Sequence, residues 1–335
     1  MHDRSDGAGG GTSAPELSVL VPSHRRPLRL RWLLNALEEQ TLDRELFEVV
    51  VAHDAWDEEI DGMLHSHPLT AAGVLRPLAS DTKSPAVKRN AGWRAARAQT
   101  VVFTDDDCRP PAGWLEGVLR ATRANPGAVV QGPTVPDPDE QLVDRTSPHP
   151  FTQRFEEAPT LMGETCNIAY PRELLQRLGG FDETVEVPAA EDTDLLWRAL
   201  KSGADHVGAP EMLTYHAVID HSLVGLLRTL PRWEILAWLV RVHPELRRQF
   251  PLRFFWKASH PGFLLGLAGL ILAAVRREPW WALLALAWLK TNPPYRGRDY
   301  GLMRMVASLP GRALIDAAEI AVMAGGSIRH RTLLL

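Results

Sequence analysis

From Leu17 to about residue 220, without any internal repeat, short apolar runs that end in polar residues alternate with stretches of helical spacing. The runs are "LSVLVPS" (17–23), "FEVVVAHD" (47–54), "TVVFTDDD" (100–107) and "GAVVQGPTV" (127–135). After the first, "LRLRWLLNALEEQ" puts Leu30, Leu33, Leu34 and Leu37 on one helical face. Before the third, "SPAVKRNAGWRAARA" opens on Ser84 as N-cap and Pro85 in the first turn. Strand and helix in strict alternation predict an α/β fold with a mostly parallel sheet. Such sheets bind ligands beyond the carboxyl ends of their strands, and polar residues gather there: Ser23 and His24, His53 and Asp54, Asp105 to Asp107.

Charge divides the chain. Residues 1–220 hold 21 Lys and Arg against 35 Asp and Glu, whereas residues 221–335 hold 16 against 6, so an acidic front precedes a basic back. The basic third interleaves Arg with Leu, Ala and six of the eleven tryptophans in helical patterns, which suits a membrane surface and not a nucleic acid. Within it "ASHPGFLLGLAGLILAAV" (258–275) has no charge, and "PWWALLALAWL" (279–289) follows "RRE". A spanning helix needs roughly 20 apolar residues, so the pair reads as an apolar hairpin (258–289), either buried or re-entrant and interfacial. Trp280, Trp281 and Trp288, with Arg276, Arg277 and Lys290 beside them, favour the interface.

Residues 1–16 read as a polar, Gly-rich disordered tail, and 136–163 as a long loop rich in Pro and charge. Residues 17–221 then form one domain and 222–335 a helical region. Cys108 and Cys166 lack the spacing of a metal knuckle or a disulfide framework. With no apolar leader in the tail, a cytoplasmic location is expected, at the cytoplasmic face of a membrane if the hairpin attaches to one.

Three groups of residues carry candidate chemistry. Adjacent carboxylates at Asp105, Asp106 and Asp107 repel one another, a cost that a hard divalent cation removes; in an extended segment Asp105 and Asp107 face the same side and suit one metal. The alternative is a solvated acidic turn. Glu191, Asp192 and Asp194 crowd a helix start, either compensating its dipole or supplying a general base. Lys88, Arg89 and Asn90 form a solvated helical face or contact a phosphate or ribose.

Taken together, "LSVLVPSHRR", "FEVVVAHDAWDEE", "SPAVKRNAGWRAARAQTVVFTDDDC" and "GGFDETVEVPAAEDTDLLWRALKSG" resemble, in order and spacing, the family 2 glycosyltransferases of the GT-A fold, over roughly residues 17–220. The resemblance implies inverting transfer from a nucleotide-diphosphate sugar. It implies Pro22, Ser23 and Arg25 facing the nucleotide, Asp54 on the nucleoside, and Lys88, Arg89 and Asn90 nearby. Asp105 and Asp107 would hold Mn²⁺ or Mg²⁺, with His216 as a further ligand, and Asp106 would face the nucleotide or sugar. Asp192 would be the base, and Glu191 would orient it or meet the acceptor. His53 stands where the family's first Asp is expected, and Ala55-Trp56 where Gly-Ser is. "TLPRW" (229–233) keeps Arg232 and Trp233 without the Gln of processive members, so single-sugar transfer is expected.

The acceptor is then a glycan or a lipid-linked molecule. A polyprenyl phosphate is the alternative acceptor, and a non-catalytic, membrane-tethered sugar-binding protein the alternative outside enzymes. An aspartate-nucleophile phosphatase is disfavoured because Arg109 stands where Thr or Val is wanted.

Overall fold

The computed structural model describes residues 14–291 and 302–335. The expected tail therefore lies almost wholly outside the described residues. The fold comprises two units. One runs to Thr134 and takes in Phe155–Phe181 and Ala199–Tyr215; the other comprises Val135–Arg154, Asp182–Arg198 and the chain from His216 onward.

The first unit is built on a seven-stranded sheet. Its strands are β1 (Leu17–Pro22), β2 (Phe47–Asp54), β3 (Leu75–Ser80), β4 (Thr100–Phe103), β5 (Val129–Gln131), β6 (Ile168–Pro171) and β7 (His206–Gly208). Their spatial order is β7-β5-β6-β4-β1-β2-β3. β1 pairs in parallel with β2 and β4, β2 with β3, and β7 with β5. Only β6 runs antiparallel to its neighbours β4 and β5. Because β1 lies between β2 and β4, the chain leaves it in opposite directions, which opens a crevice at the carboxyl ends of these three strands.

Helix α1 (Pro27–Glu38) buries Leu30, Leu33, Leu34 and Leu37, as its spacing predicts. These join Val19, Val21, Val49, Val51 and Trp114 in one core cluster. Helix α2 (Pro85–Ala95) is capped by Ser84, whose hydroxyl accepts from Val87 N, with Pro85 in the first turn. A proline fits there because its missing N–H has no helical partner to lose.

Local chemistry overturned several boundaries. The expected strand 100–107 stops at Phe103, and the three aspartates occupy a turn closed by Cys108 N on Asp105 O at 3.1 Å. The expected strand 127–135 breaks at Gly132-Pro133, where proline has no N–H for a ladder. Residues 136–163 are not a bare loop: they hold a helix, Gln141–Thr146, and a strand, Pro150–Phe151, paired with Ile219–Asp220.

In the second unit, helix α3 (Glu191–Lys201) precedes a helical tract. Long helices were expected throughout that tract, but Pro231, Pro244 and Pro251 each open a short 3₁₀ segment. Among the described residues only α4 (Ser259–Arg276) and α6 (Leu302–His330) are long. Between them Pro279–Leu284 and α5 (Ala285–Thr291) return along α4.

Candidate active site

At the carboxyl edge of the sheet the turn after β1 is held from both sides. Ser23 Oγ donates to Asp106 Oδ2 at 2.9 Å and the His24 backbone N–H donates to the same oxygen at 3.1 Å. Arg26 Nη1 donates to Asp106 Oδ1 at 3.1 Å and to Asp107 Oδ2 at 2.6 Å. From the β2 side, His24 Nδ1 lies 2.5 Å from Asp54 Oδ2. Lys88 Nζ donates to Asp54 Oδ1 and to Ser23 O, both at 2.5 Å. Arg89 pairs with Asp105 at 2.9 Å and stacks over Phe181.

These contacts redistribute the expected roles. Asp106 is buried with its oxygens engaged by the β1 turn, so it braces the protein instead of facing a ligand. Burial, with Asp107 adding to it, pushes its carboxyl up to about 6 against the pull of Arg26, His24 N–H and Ser23. Lys88 is 1% exposed and locked onto Asp54, which is itself 0% exposed. Asn90 sits in the interior, its amide bonded to Phe181 O, Phe181 N and Trp93 Nε1. Gly180, at φ +78, allows this: a Cβ there would lie 2.3 Å from Asn90 Oδ1. Asn90 is therefore a bracket between α2 and the Gly179-Gly180 turn, not a surface for phosphate.

Arg25, expected at the nucleotide, takes φ 53 and points into solvent, and Arg26 reaches the carboxylates in its place. Arg26 is the group sequence reasoning missed, and His24, read only as strand-end polarity, was given no role. Both lie in "PSHRR", but which arginine turns inward depends on the left-handed backbone at Arg25. Nor are the aspartates uncompensated, since Arg26 and Arg89 stand against them. A carboxylate oxygen of Asp105 and one of Asp107 nevertheless lie within 4.8 Å of each other. A turn, and not an extended strand, brings these oxygens together. Asp105 is 25% exposed and Arg26 45%, so this edge opens to solvent. Pro22 is half-buried at the end of β1.

The other predicted residues belong to the second unit. Glu191 and Asp192 open α3, preceded by Ala190 at φ 75, a left-handed conformation that costs a residue with a Cβ. Asp192 Oδ1 accepts from Thr193 N at 2.9 Å and is partly exposed. Asp194 faces inward, accepting from His243 Nε2 at 2.9 Å and Arg198 Nε at 2.8 Å. Burial raises the Asp194 carboxyl pKa, but the His243 and Arg198 bonds outweigh it and hold the group below its ordinary value. Of the three carboxylates, Asp194 is thus the anchor of the helix start. His216 ends the strand Thr214–His216, buried, with Nδ1 2.8 Å from Ala217 O. An Nδ1–H donated to that carbonyl leaves the lone pair on Nε2, the tautomer of a metal-ligating imidazole. Arg232 lies over Phe151 and Trp233.

Residues 18–179 match the family described as Glycosyl transferase family 2. This stretch belongs to that family. The matched region takes in β2 through β6, all of β1 but Leu17, and every charged residue of the sheet-edge cluster. Pre-mycofactocin glycosyltransferase of Mycobacterium tuberculosis is 29% identical over 230 residues, 63% of this chain and 44% of its own. Validoxylamine A glucosyltransferase of Streptomyces hygroscopicus is 26% identical over 295 residues, 76% of this chain and 66% of its own. The chain thus spans between 44% and 66% of the length of these curated relatives. Among solved structures, the mannosyltransferase PcManGT from Pyrobaculum calidifontis, in complex with GDP-Man and Mn²⁺, matches with TM-score 0.55 at 19% identity, over 95% of this chain and 87% of its own. The fold is GT-A, as the sequence resemblance implied.

Proposed function

We propose that this chain is an inverting glycosyltransferase that moves a single sugar from a nucleotide-diphosphate sugar to an acceptor hydroxyl. The observation that carries the reading is the Asp105–Asp107 carboxylate pair at the crevice of a family 2 fold, with Arg26 and Arg89 beside it. The pair fits Mg²⁺ or Mn²⁺, which take oxygen ligands from one or two carboxylates and complete their shell with water and phosphate. His216 is the third ligand in this reading, through Nε2. Such a cation, when bound, neutralises the diphosphate as leaving group.

The chain's own groups do the rest. Arg26 and Arg89 turn from the aspartates toward the diphosphate and hold it. Asp54, clamped by Lys88, orients His24, whose partly exposed ring faces the nucleotide. Asp192 takes the proton of the acceptor hydroxyl while its oxygen attacks the anomeric carbon from the face opposite the diphosphate, and Glu191 orients that carboxylate. The mannosyltransferase neighbour holds GDP-Man and Mn²⁺, which accords with a nucleotide-sugar donor. The acceptor is a glycan or a lipid-linked molecule at the cytoplasmic face of a membrane.

A panel of nucleotide sugars, including UDP-glucose and GDP-mannose, offered with Mn²⁺ or Mg²⁺ to wild type and Asp107→Ala, tests this. Hydrolysis or transfer by the wild type alone is expected; equal turnover by both proteins would remove the metal assignment. Full activity in Asp192→Asn would point to an acceptor that is already anionic, such as a polyprenyl phosphate.

A further inference from the structure

One described helix, Ser259–Arg276, is long and apolar enough to cross a membrane, at mean hydropathy 1.4, yet only 28% of it is buried. A core helix of such composition would be mostly covered. The inner side of the hairpin is already occupied. Gly262, Gly266 and Gly269 of α4 face the returning arm, where a Cβ would come within 3.0 Å of Ala287 O, 3.1 Å of Ala285 Cα and 2.5 Å of Trp281 O respectively. The two arms touch backbone to backbone along that line. What remains uncovered is the outer face: Leu265, Leu270, Ile271 and Val275 on the long arm, Leu283 and Leu286 on the return, with Val275 at 73% and Leu283 at 64% exposure.

The open end of the hairpin is pinned. Lys257 and His260 bond Glu319 at 2.5 and 3.1 Å, while Ser259 and Trp288 bond Asp316 at 3.1 and 2.7 Å. Both carboxylates belong to α6, so the base of the hairpin cannot swing away without breaking a buried network. The closed end carries Arg276, Arg277 and Glu278, all exposed, next to Trp280 stacked on Trp281 with centroids 3.9 Å apart.

We propose that this outer face docks in the plane of an anionic lipid bilayer, at the boundary of headgroups and acyl chains, with Arg276 and Arg277 among the headgroup phosphates. The inference deepens the membrane placement above and rests on that placement alone, not on the transfer chemistry. Length decides against spanning. The 18 residues of α4 reach about 27 Å. The apolar run of the return arm, residues 279–289, has 11 residues, against the roughly 20 that a spanning helix needs. A spanning hairpin would strand Arg276, Arg277 and Glu278 in hydrocarbon. Lying flat, it buries the leucines and isoleucine to the depth of an interfacial helix, about 5 to 10 Å, and keeps every charge at headgroup level. The sign of the charge selects the lipid. Arg276, Arg277 and Lys290 flank the face, and Glu278, their only acidic neighbour on the hairpin, is engaged by Trp281 Nε1 at 3.0 Å.

Flotation of the full chain with phosphatidylcholine vesicles, with and without phosphatidylglycerol, tests the proposal. The wild type is expected to float with the anionic vesicles. Leu270→Glu/Ile271→Glu, at exposed positions, should lower the bound fraction at least tenfold. Arg276→Gln and Arg277→Gln should each weaken anionic binding roughly fivefold. With Glu278→Cys, a membrane-impermeant maleimide should label vesicle-bound protein fully before detergent, since Cys108 and Cys166 are both buried. Protection of that thiol until detergent would overturn the in-plane mode. Unchanged flotation of the double Glu variant, or a wild-type dimer that the same variant disperses without any vesicle binding, would overturn the docking face itself. Hydrolysis of UDP-glucose or GDP-mannose in solution should be the same for the double Glu variant and the wild type. Loss of flotation with hydrolysis intact therefore confines the effect to docking, and absent hydrolysis in both proteins strikes the catalytic reading alone.

Discussion

The carboxylates at the sheet edge and those of the helical unit keep similar company. Asp105, Asp106 and Asp107 stand among Ser23, the His24 N–H, Arg26 and Arg89; Asp316 and Glu319 stand among Ser259, His260, Lys257 and Trp288. Ligand atoms of His260, Asp316 and Glu319 lie within 4.8 Å of one another, so distance alone would admit a cation there too. Access and donors separate the two. In the helical cluster each of the four carboxylate oxygens has a donor from the chain itself, and His260, Asp316 and Glu319 are all buried. The carboxylate oxygens are thus taken, with only His260 Nδ1 of the cluster's ring nitrogens unpartnered among the described residues, and the network braces three helices. At the sheet edge Asp105 and Arg26 reach solvent, so a ligand can exchange for the arginines. Carboxylates thus stand at an open edge in one place and inside a buried brace in the other.

Paired substitutions sharpen this contrast. Asp107→Ala should lower donor turnover about 10²- to 10³-fold, the scale for losing charge stabilisation of a leaving group, and leave the melting temperature nearly unchanged. Glu319→Ala should do the reverse. It strands the ring of His260 and removes the partner of Lys257, at a cost of about 3 kcal/mol by urea denaturation, with turnover per folded molecule unchanged. A chelator that lowered the melting temperature and abolished this difference would break the comparison. A smaller effect is expected from Trp288→Phe, which leaves Asp316 Oδ2 without its indole donor, about 1–2 kcal/mol in the same measurement.

Titration gives a further contrast, between a buried acid held ionised by its partners and a half-buried base whose Nε2 has no partner among the described residues. His206 on β7 has no hydrogen-bond partner for Nε2, and burial pulls its pKa down to about 4. The unfolded chain takes up that proton near 6.5 while the folded chain refuses it, so stability should fall as pH drops from about 6.5 toward 4. His206→Phe should flatten that part of a denaturation series run across pH; an unchanged slope would assign the acid lability elsewhere. The smallest expected effect is that of Ala190→Gly. Relief of the left-handed backbone offsets the greater entropy of the unfolded chain, for a net stabilisation of no more than about 1 kcal/mol. Loss of activity without loss of stability in this variant would mean that the fixed backbone positions Asp192.

Much of the sheet edge was legible because strand-end polarity is local. A β-branched run followed by Ser, Asp or Asp-Asp-Asp marks which groups a strand delivers to the carboxyl edge, though not the residue at which the strand stops. The apolar hairpin was legible for the same reason, since eighteen uncharged residues and their basic flanks are read along one segment. Side-chain destinations were not legible. Lys88 reaches Asp54 across 34 positions, Asn90 reaches Phe181 across 91, and His243 reaches Asp194 across 49. Such pairs depend on which elements the fold makes neighbours.

The sequence by itself determined the alternating architecture, the carboxylates of the crevice and the apolar character of the hairpin, because periodicity and composition act over a few consecutive residues. Only the tertiary structure decided that Arg26 and not Arg25 meets the aspartates, that Asp106 and Asn90 brace rather than bind, and that the hairpin shows its leucines outward. Those outcomes turn on one backbone dihedral, on side chains meeting across distant segments, and on which face a neighbouring helix covers.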